Sequence, residues 1–254
     1  MKTAFFRFYE ALNDFLPQKR RNREFSCDFD GRPTVKHLIE SIGVPHTEID
    51  VILVNGVSVD FKHYVANSDR IAVYSVFNSL DIKPIFRLGP TPPRPAAFIL
   101  DVHLGKLARM LRLLGFDALY RNDYEDSRIV QIAAAEHRIV LTRDVQLLKA
   151  KMVTHGYWIR AMNPEAQVVE VLRRFDLFNQ FGAVPRCLAC NGVIHETSKE
   201  AVWHLLEPKT KIYYREFFQC ADCGRVYWKG THFPRLKEKI DRWRALPSTC
   251  IING

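Results

Sequence analysis

Two short apolar runs in the middle of the chain each lead onto an aspartate: Ala97-Phe98-Ile99-Leu100-Asp101 and Ile139-Val140-Leu141-Thr142-Arg143-Asp144. Between them lie a helical pattern, a second strand-like run at 117–120 and an acidic cluster running to Asp126. Short strands that alternate with helices predict βαβ units and a parallel sheet. In such sheets the chemistry collects beyond the carboxyl ends of the strands, where these aspartates fall. Carboxylates gathered there repel one another unless a hard cation joins them.

The surrounding pattern extends this α/β region. It reads as strand 97–100, helix 104–114, strand 117–120, helix 127–136, strand 138–142, helix 145–151, strand 156–160 and helix 164–175. Leu104, Leu107, Ala108, Leu111 and Leu114 share one helix face, and Gly115 ends it. Asn163-Pro164 is a cap followed by a first-turn proline. Parallel strands with intervening helices predict a three-layer α/β/α sandwich.

Upstream, Ala4–Tyr9 and Glu24–Phe29 read as strands flanking a basic loop, Lys19–Arg23. Thr34 caps a helix with Val35, Leu38, Ile39 and Ile42 on one face and Gly43 as its stop. Val51–Val54 is a buried strand running into an Asn55-Gly56 turn, and Arg70–Val76 is the last strand. Pro84, Pro90, Pro92, Pro93 and Pro95 then block helix and central strand and favour an extended spacer. The expected parts are therefore residues 1–80, a linker at 81–96, the α/β region at 97–184 and an aromatic-rich, cysteine-bearing region at 185–254.

Charge separates these parts. Residues 1–80 carry 10 Lys/Arg and 10 Asp/Glu, whereas 185–254 carry 12 and 7, so the formal excess of +9 falls wholly after residue 80. A basic field steers polyanions and holds phosphates through counterion release, which places RNA binding in 97–254. No apolar stretch approaches the ~18 residues of a membrane span. Arg7 and Glu10 interrupt any secretory core near the start. The chain therefore reads as cytoplasmic, with no membrane partner.

Six cysteines in a cytoplasmic protein favour metal over disulfides. Cys187-Leu-Ala-Cys190 and Cys220-Ala-Asp-Cys223 are separated by 29 residues. Two such turns give a closed tetrahedral zinc site, and neither pair follows a strand at a helix start as a redox pair does. Cys27 and Cys250 read as small buried residues. Tyr213, Tyr214, Phe217, Phe218, Tyr227 and Trp228 read mostly as the core of this small zinc domain. Some of them, with Arg215, Arg225, Lys229 and His232, can also stack or pair with RNA.

For the aspartates two readings stand side by side. Asp101, Asp126 and Asp144 each precede a helix, so each can be an ordinary N-cap. Three at one sheet edge also suit Mg²⁺ or Mn²⁺, which would orient and acidify an attacking water. Lys106 and Arg109 lie one helical turn apart just after Asp101, and Arg143 precedes Asp144. Lys106 and Arg143 are the stronger candidates for phosphate contacts.

Phe98-Ile-Leu-Asp101, Leu104-Gly-Lys-Leu-Ala-Arg109, Leu113-Leu-Gly-Phe-Asp117 and Leu141-Thr-Arg-Asp144 resemble the PIN-like ribonuclease domain of the mutator-seven C-terminal (Mut7-C) type. That family carries a zinc ribbon, and its bacterial members often have a ubiquitin-like domain in front. The β-order and turns of residues 1–80 resemble that β-grasp module. The resemblance implies a PIN-like sandwich, a ubiquitin-like domain, and a ribbon zinc held by Cys187, Cys190, Cys220 and Cys223. It also implies metal-binding acids at Asp101, Asp126 and Asp144, with Asp123 or Glu125 as a fourth. The implied activity is metal-dependent endoribonuclease, with a protein partner met through the ubiquitin-like domain. A non-catalytic RNA-binding adaptor keeps the same fold and charge. A sulfur carrier is disfavoured because the first module ends Val76-Phe77-Asn78 rather than in a free Gly-Gly.

Overall fold

A computed structural model describes residues 1–75, 88, 91–181 and 185–246. Val76 and the tail after it, Pro84, Pro90 and Cys250 lie outside the described residues. The chain forms two compact units, residues 1–93 with 126–158 and residues 94–125 with 159–254. Among the described residues no helix is long and apolar enough to cross a membrane.

The first module is a five-stranded sheet of β1 (Lys2–Phe8), β2 (Phe25–Phe29), β3 (Ile49–Val54), β4 (Val57–Ser58) and β5 (Arg70–Ser75). Its order is β2-β1-β5-β3-β4, with β1 and β5 parallel and the other neighbours antiparallel. Helix α1 (Val35–Ile42) lies between β2 and β3 in sequence, which gives a ubiquitin-like β-grasp. Its start is fixed by the Thr34 side chain accepting from His37 N at 3.3 Å. It stops at Gly43, whose φ of 127° an L side chain rarely adopts. Phe6, Phe8, Leu12, Ile39, Ile52 and Val73 form the buried centre. Cys27 is only half-buried at the edge of this core, not enclosed as its sequence suggests, and burial still raises its thiol pKa.

In chain order the α/β region then runs β6 (Ala97–Leu100), α2 (Gly105–Leu113), β7 (Asp117–Leu119), α3 (Asp126–Ala135), β8 (Ile139–Thr142), α4 (Val145–Leu148), β9 (Gly156–Trp158) and α5 (Pro164–Phe175). β6 pairs with β7 and β8 with β9, both in parallel register. The near-complete burial of β6 and β8 explains their unbroken apolar runs, since parallel strands are covered on both faces. In the second unit α2 packs on β7 and α5; in the first, α3 and α4 pack on β8. This is the PIN-like α/β arrangement.

The first unit binds the β-grasp module to residues 126–158. Glu48, 2 % exposed, accepts from the backbone N–H of Trp158 at 2.7 Å, so its carboxylate meets the end of β9. The rings of Phe15 and Trp158 lie 4.9 Å apart, and Lys149 Nζ donates to Glu40 O at 3.0 Å. Glu48→Ala would remove the acceptor that this half-buried N–H meets. The expected cost is about 2 kcal/mol, read as a lower urea midpoint at unchanged slope.

The C-terminal region holds helices as well as the strands of a ribbon. A three-stranded antiparallel sheet, β10 (Ile194–Thr197), β11 (Phe217–Cys220) and β12 (Val226–Trp228), is present. Between β10 and β11, however, the chain forms α6 (Lys199–Val202) and α7 (Pro208–Tyr213), and after β12 it forms α8 (Phe233–Arg244). Ser198 caps α6 by accepting from Ala201 N, and Pro208 opens α7. Helices four and six residues long carry too little periodicity to stand out. Val202 of α6 and Leu206, in the segment between the two helices, make the ribbon core with Phe217. Of the six aromatics expected mostly in this core, Phe217 is buried and Tyr214 packs against it, whereas Tyr213 is 73 % exposed and Trp228 38 %.

Candidate functional site

The cysteine pairs converge. All four sulfurs lie within 4.8 Å of one another, with Cys187–Cys223 at 3.6 Å and Cys190–Cys220 at 3.4 Å. A tetrahedral zinc with Zn–S bonds of about 2.3 Å has S–S edges near ~3.8 Å, so the cluster fits that ion. The turn geometry is that of a zinc knuckle. Backbone N–H groups of Cys190 and Gly192 point at Cys187 Sγ and Cys190 Sγ, at 3.5 and 3.4 Å. Gly192 is required by space, because a Cβ there would come within 2.8 Å of Cys220 Sγ. Burial opposes ionisation of Cys187, but the Tyr227 hydroxyl at 3.0 Å and knuckle N–H groups bring its pKa down to about 6. Burial and the neighbouring thiols push Cys190 up to about 12.

Three residues that the sequence reading left without a role fasten this knuckle to the α/β region within the second unit. Asn191 accepts from Ala118 N at 2.9 Å and donates to Asp117 Oδ1 at 2.8 Å, bridging to β7. Arg186 adds an ion pair to Asp117 at 3.5 Å. Arg112, buried on the apolar face of α2, donates to the carbonyls of Ala118, Leu188 and Ala189. Burial lowers its pKa, while Cys187, Cys190 and Asp117 favour its charge. The legible signal was a lone cation at a core position of α2. Arg112→Met is expected to lower zinc affinity about 10- to 100-fold, measured by competition with a metal-sensitive dye.

The aspartates belong to both units, Asp101 to the second and Asp126 and Asp144 to the first. Asp101, 4 % exposed, directly follows β6, and its Oδ1 accepts from His103 N at 2.8 Å. Asp144 follows β8 by two residues; its Oδ1 accepts from Gln146 N at 2.8 Å, and its own N–H donates to Thr142 Oγ1. Asp126 is exposed and is the first residue of α3. Capping is therefore real for Asp101 and Asp144, and it occupies one oxygen of each.

Of the two further acids, Asp123 is held by Arg121 at 2.8 Å, whose guanidinium hydrogen bond depresses its pKa. Glu125 is exposed. Lys106 is exposed on the first turn of α2, and Arg143 is half-buried beside Asp144. Gly105 has a spatial reason: a Cβ there would meet the Tyr120 hydroxyl at 2.7 Å, and that hydroxyl donates to Val102 O. Gly105→Ala is thus expected to shift the segment that follows Asp101 and to weaken any activity depending on it. A crystal structure of the variant would show the displacement.

Compared with known protein families, residues 96–240 match the Mut7-C RNAse domain and residues 1–81 the Mut7-C ubiquitin domain. No curated protein and no solved structure matches the chain.

Proposed function

Because the chain belongs to the Mut7-C RNAse domain family, we propose that it is a divalent-metal-dependent endoribonuclease. Asp101 carries the reading: a carboxylate buried at the carboxyl end of a parallel strand, inside the matched domain. With Asp126 and Asp144 it would hold Mg²⁺ or Mn²⁺, since carboxylate oxygens suit a hard cation. Glu125 is the better fourth acid, because Arg121 already engages Asp123. Such a cation supplies an acidified water and stabilises charge on the leaving oxygen. The chain's own part is to aim its oxygens and hold the RNA. The N–H groups of His103 and Gln146 fix one oxygen each of Asp101 and Asp144. Lys106 and Arg143 would contact phosphates flanking the cut.

In this reading residues 97–184 are the nuclease part and 185–254 the ribbon, whose four cysteines hold one structural zinc. Residues 1–80, followed by the spacer 81–96, offer a surface to a protein partner, and the protein works in the cytoplasm with reduced thiols. One observation favours a second reading, a non-catalytic RNA-binding adaptor: two of the three acids already serve as helix caps. End-labelled RNA incubated with the full chain separates the two. Internal cuts that appear with Mg²⁺ or Mn²⁺, and not without added metal, support the nuclease. Binding with no cleavage under any metal supports the adaptor.

A further inference from the structure

The second unit holds a groove of about 680 Å³ that the acids and the cysteines leave unused. Its walls come from the ribbon, α7, α8 and the outer side of α2. Two kinds of side chain dominate it. Tyr213, Trp228 and Phe233 present exposed rings, with Tyr214 tilted against Trp228 at 6.2 Å between centroids. Arg109 and Lys209 supply exposed cations, and His232 joins them. None of the residues lining the groove is acidic.

Exposed rings beside cations with no acid among them are costly as mere surface, because apolar area faces water and like charges face one another. They are what a single nucleic-acid strand requires: bases stack on rings, and phosphates pair with Arg and Lys. A volume in the ~300–1,000 Å³ range of small-ligand sites admits a few unpaired bases. The groove also continues. A neighbouring cavity of about 280 Å³ shares Arg109, Leu188 and Leu236 with it and adds Lys106. Lys106 lies on the first turn of α2, just beyond the turn that Asp101 caps.

We infer that this groove binds single-stranded RNA, stacking bases on Trp228 and Tyr213 and leading the phosphates past Lys209, Arg109 and Lys106 toward Asp101. The inference deepens the nuclease reading by assigning the ribbon a role in holding the substrate strand.

The test measures binding, so that it does not depend on cleavage. Fluorescence anisotropy of a dye-labelled 12-nucleotide oligouridylate is followed with the full-length, zinc-loaded protein and no added divalent metal. Trp228→Ala is expected to weaken binding about tenfold, within the ~1–3 kcal/mol that one stacked base contributes. Trp228→Phe keeps a stacking face and is expected to lose less than threefold. Lys209→Glu is expected to weaken binding at least fivefold and to flatten the salt dependence by about one unit of slope. Because Lys209 is an exposed side chain, it carries the test if Trp228→Ala does not fold. Unlabelled duplex RNA of the same length should compete poorly. Wild-type affinity in folded Trp228→Ala and Lys209→Glu, or equal competition by duplex, overturns the inference and leaves the groove to a protein segment. A chain that cleaves no RNA, yet loses oligouridylate binding in these variants, fails as a nuclease while the groove stands.

Discussion

Asp101→Asn is expected to lose at least about a hundredfold in RNA cleavage, or ~2.7 kcal/mol of barrier, while keeping wild-type stability. The contrast follows from what the side chain does. Asn caps a helix start as well as Asp, so the hydrogen bond from His103 N at 2.8 Å survives through the amide oxygen. A neutral amide is a poor ligand for a hard cation, so the metal-dependent role is lost while the cap is kept. Asp144→Asn should behave in the same way, since Gln146 N still finds its acceptor. The thermal melt reports the cap and the cleavage rate reports the metal site. Unchanged cleavage in folded Asp101→Asn would remove this residue from the chemistry. A loss of stability in Asp101→Asn would show that the charge itself holds the segment.

Cys220→Ser, or removal of zinc by a chelator, is expected to unfold the ribbon and its helices. Metal binding is folding energy for such domains, about 10–16 kcal/mol in isolated zinc-finger peptides. The core of its own among the described residues is small: Val202, Leu206 and Phe217 are buried, with Tyr214 and Val226 packed against them. The damage should also reach β7, because Asn191 and Arg112 tie the knuckle to Asp117 and Ala118. Hydrogen exchange is the measurement. Amides of 187–229 and of Ala118 should lose protection, and those of β1 and β5 should keep it. Retained protection across β11 in the metal-free protein would assign the ribbon's stability to its core instead.

The α/β region was legible because its period is simple: unbroken apolar runs, one helix face from Leu104 to Leu114, and a cap-proline pair at Asn163-Pro164. The helix at 164–175 falls on the residues expected, with Asn163 accepting from Glu165 and Ala166 N–H groups. The turn at Asn55-Gly56 was equally plain, and both residues have the positive φ it requires. The ribbon was harder. Its cysteine spacing gave the ligand set, but α6 and α7 are shorter than the window in which a 3.6-residue period can be read. The exposed rings of Tyr213 and Trp228 could not be told from core aromatics by type alone. Whether an aspartate after a strand caps or ligates is equally invisible in sequence, because both roles need the same residue at the same place.

The two compact units are interleaved along the chain, and this governs how the protein is made. The unit that begins at the first residue needs residues 126–158 to finish, since Phe15, Glu40 and Glu48 meet Trp158 and Lys149. During synthesis the β-grasp sheet can close early, from contacts within its own 75 residues. It must then wait for the stretch 94–125, which belongs to the other unit, to leave the ribosome before its partner strand arrives. At about 5–20 residues per second that wait lasts several seconds, with the edge around Glu48 and Phe15 uncovered. Truncation between residues 81 and 96 therefore divides the sequence cleanly and the first unit badly: each half emerges with a raw face that the other was built to cover.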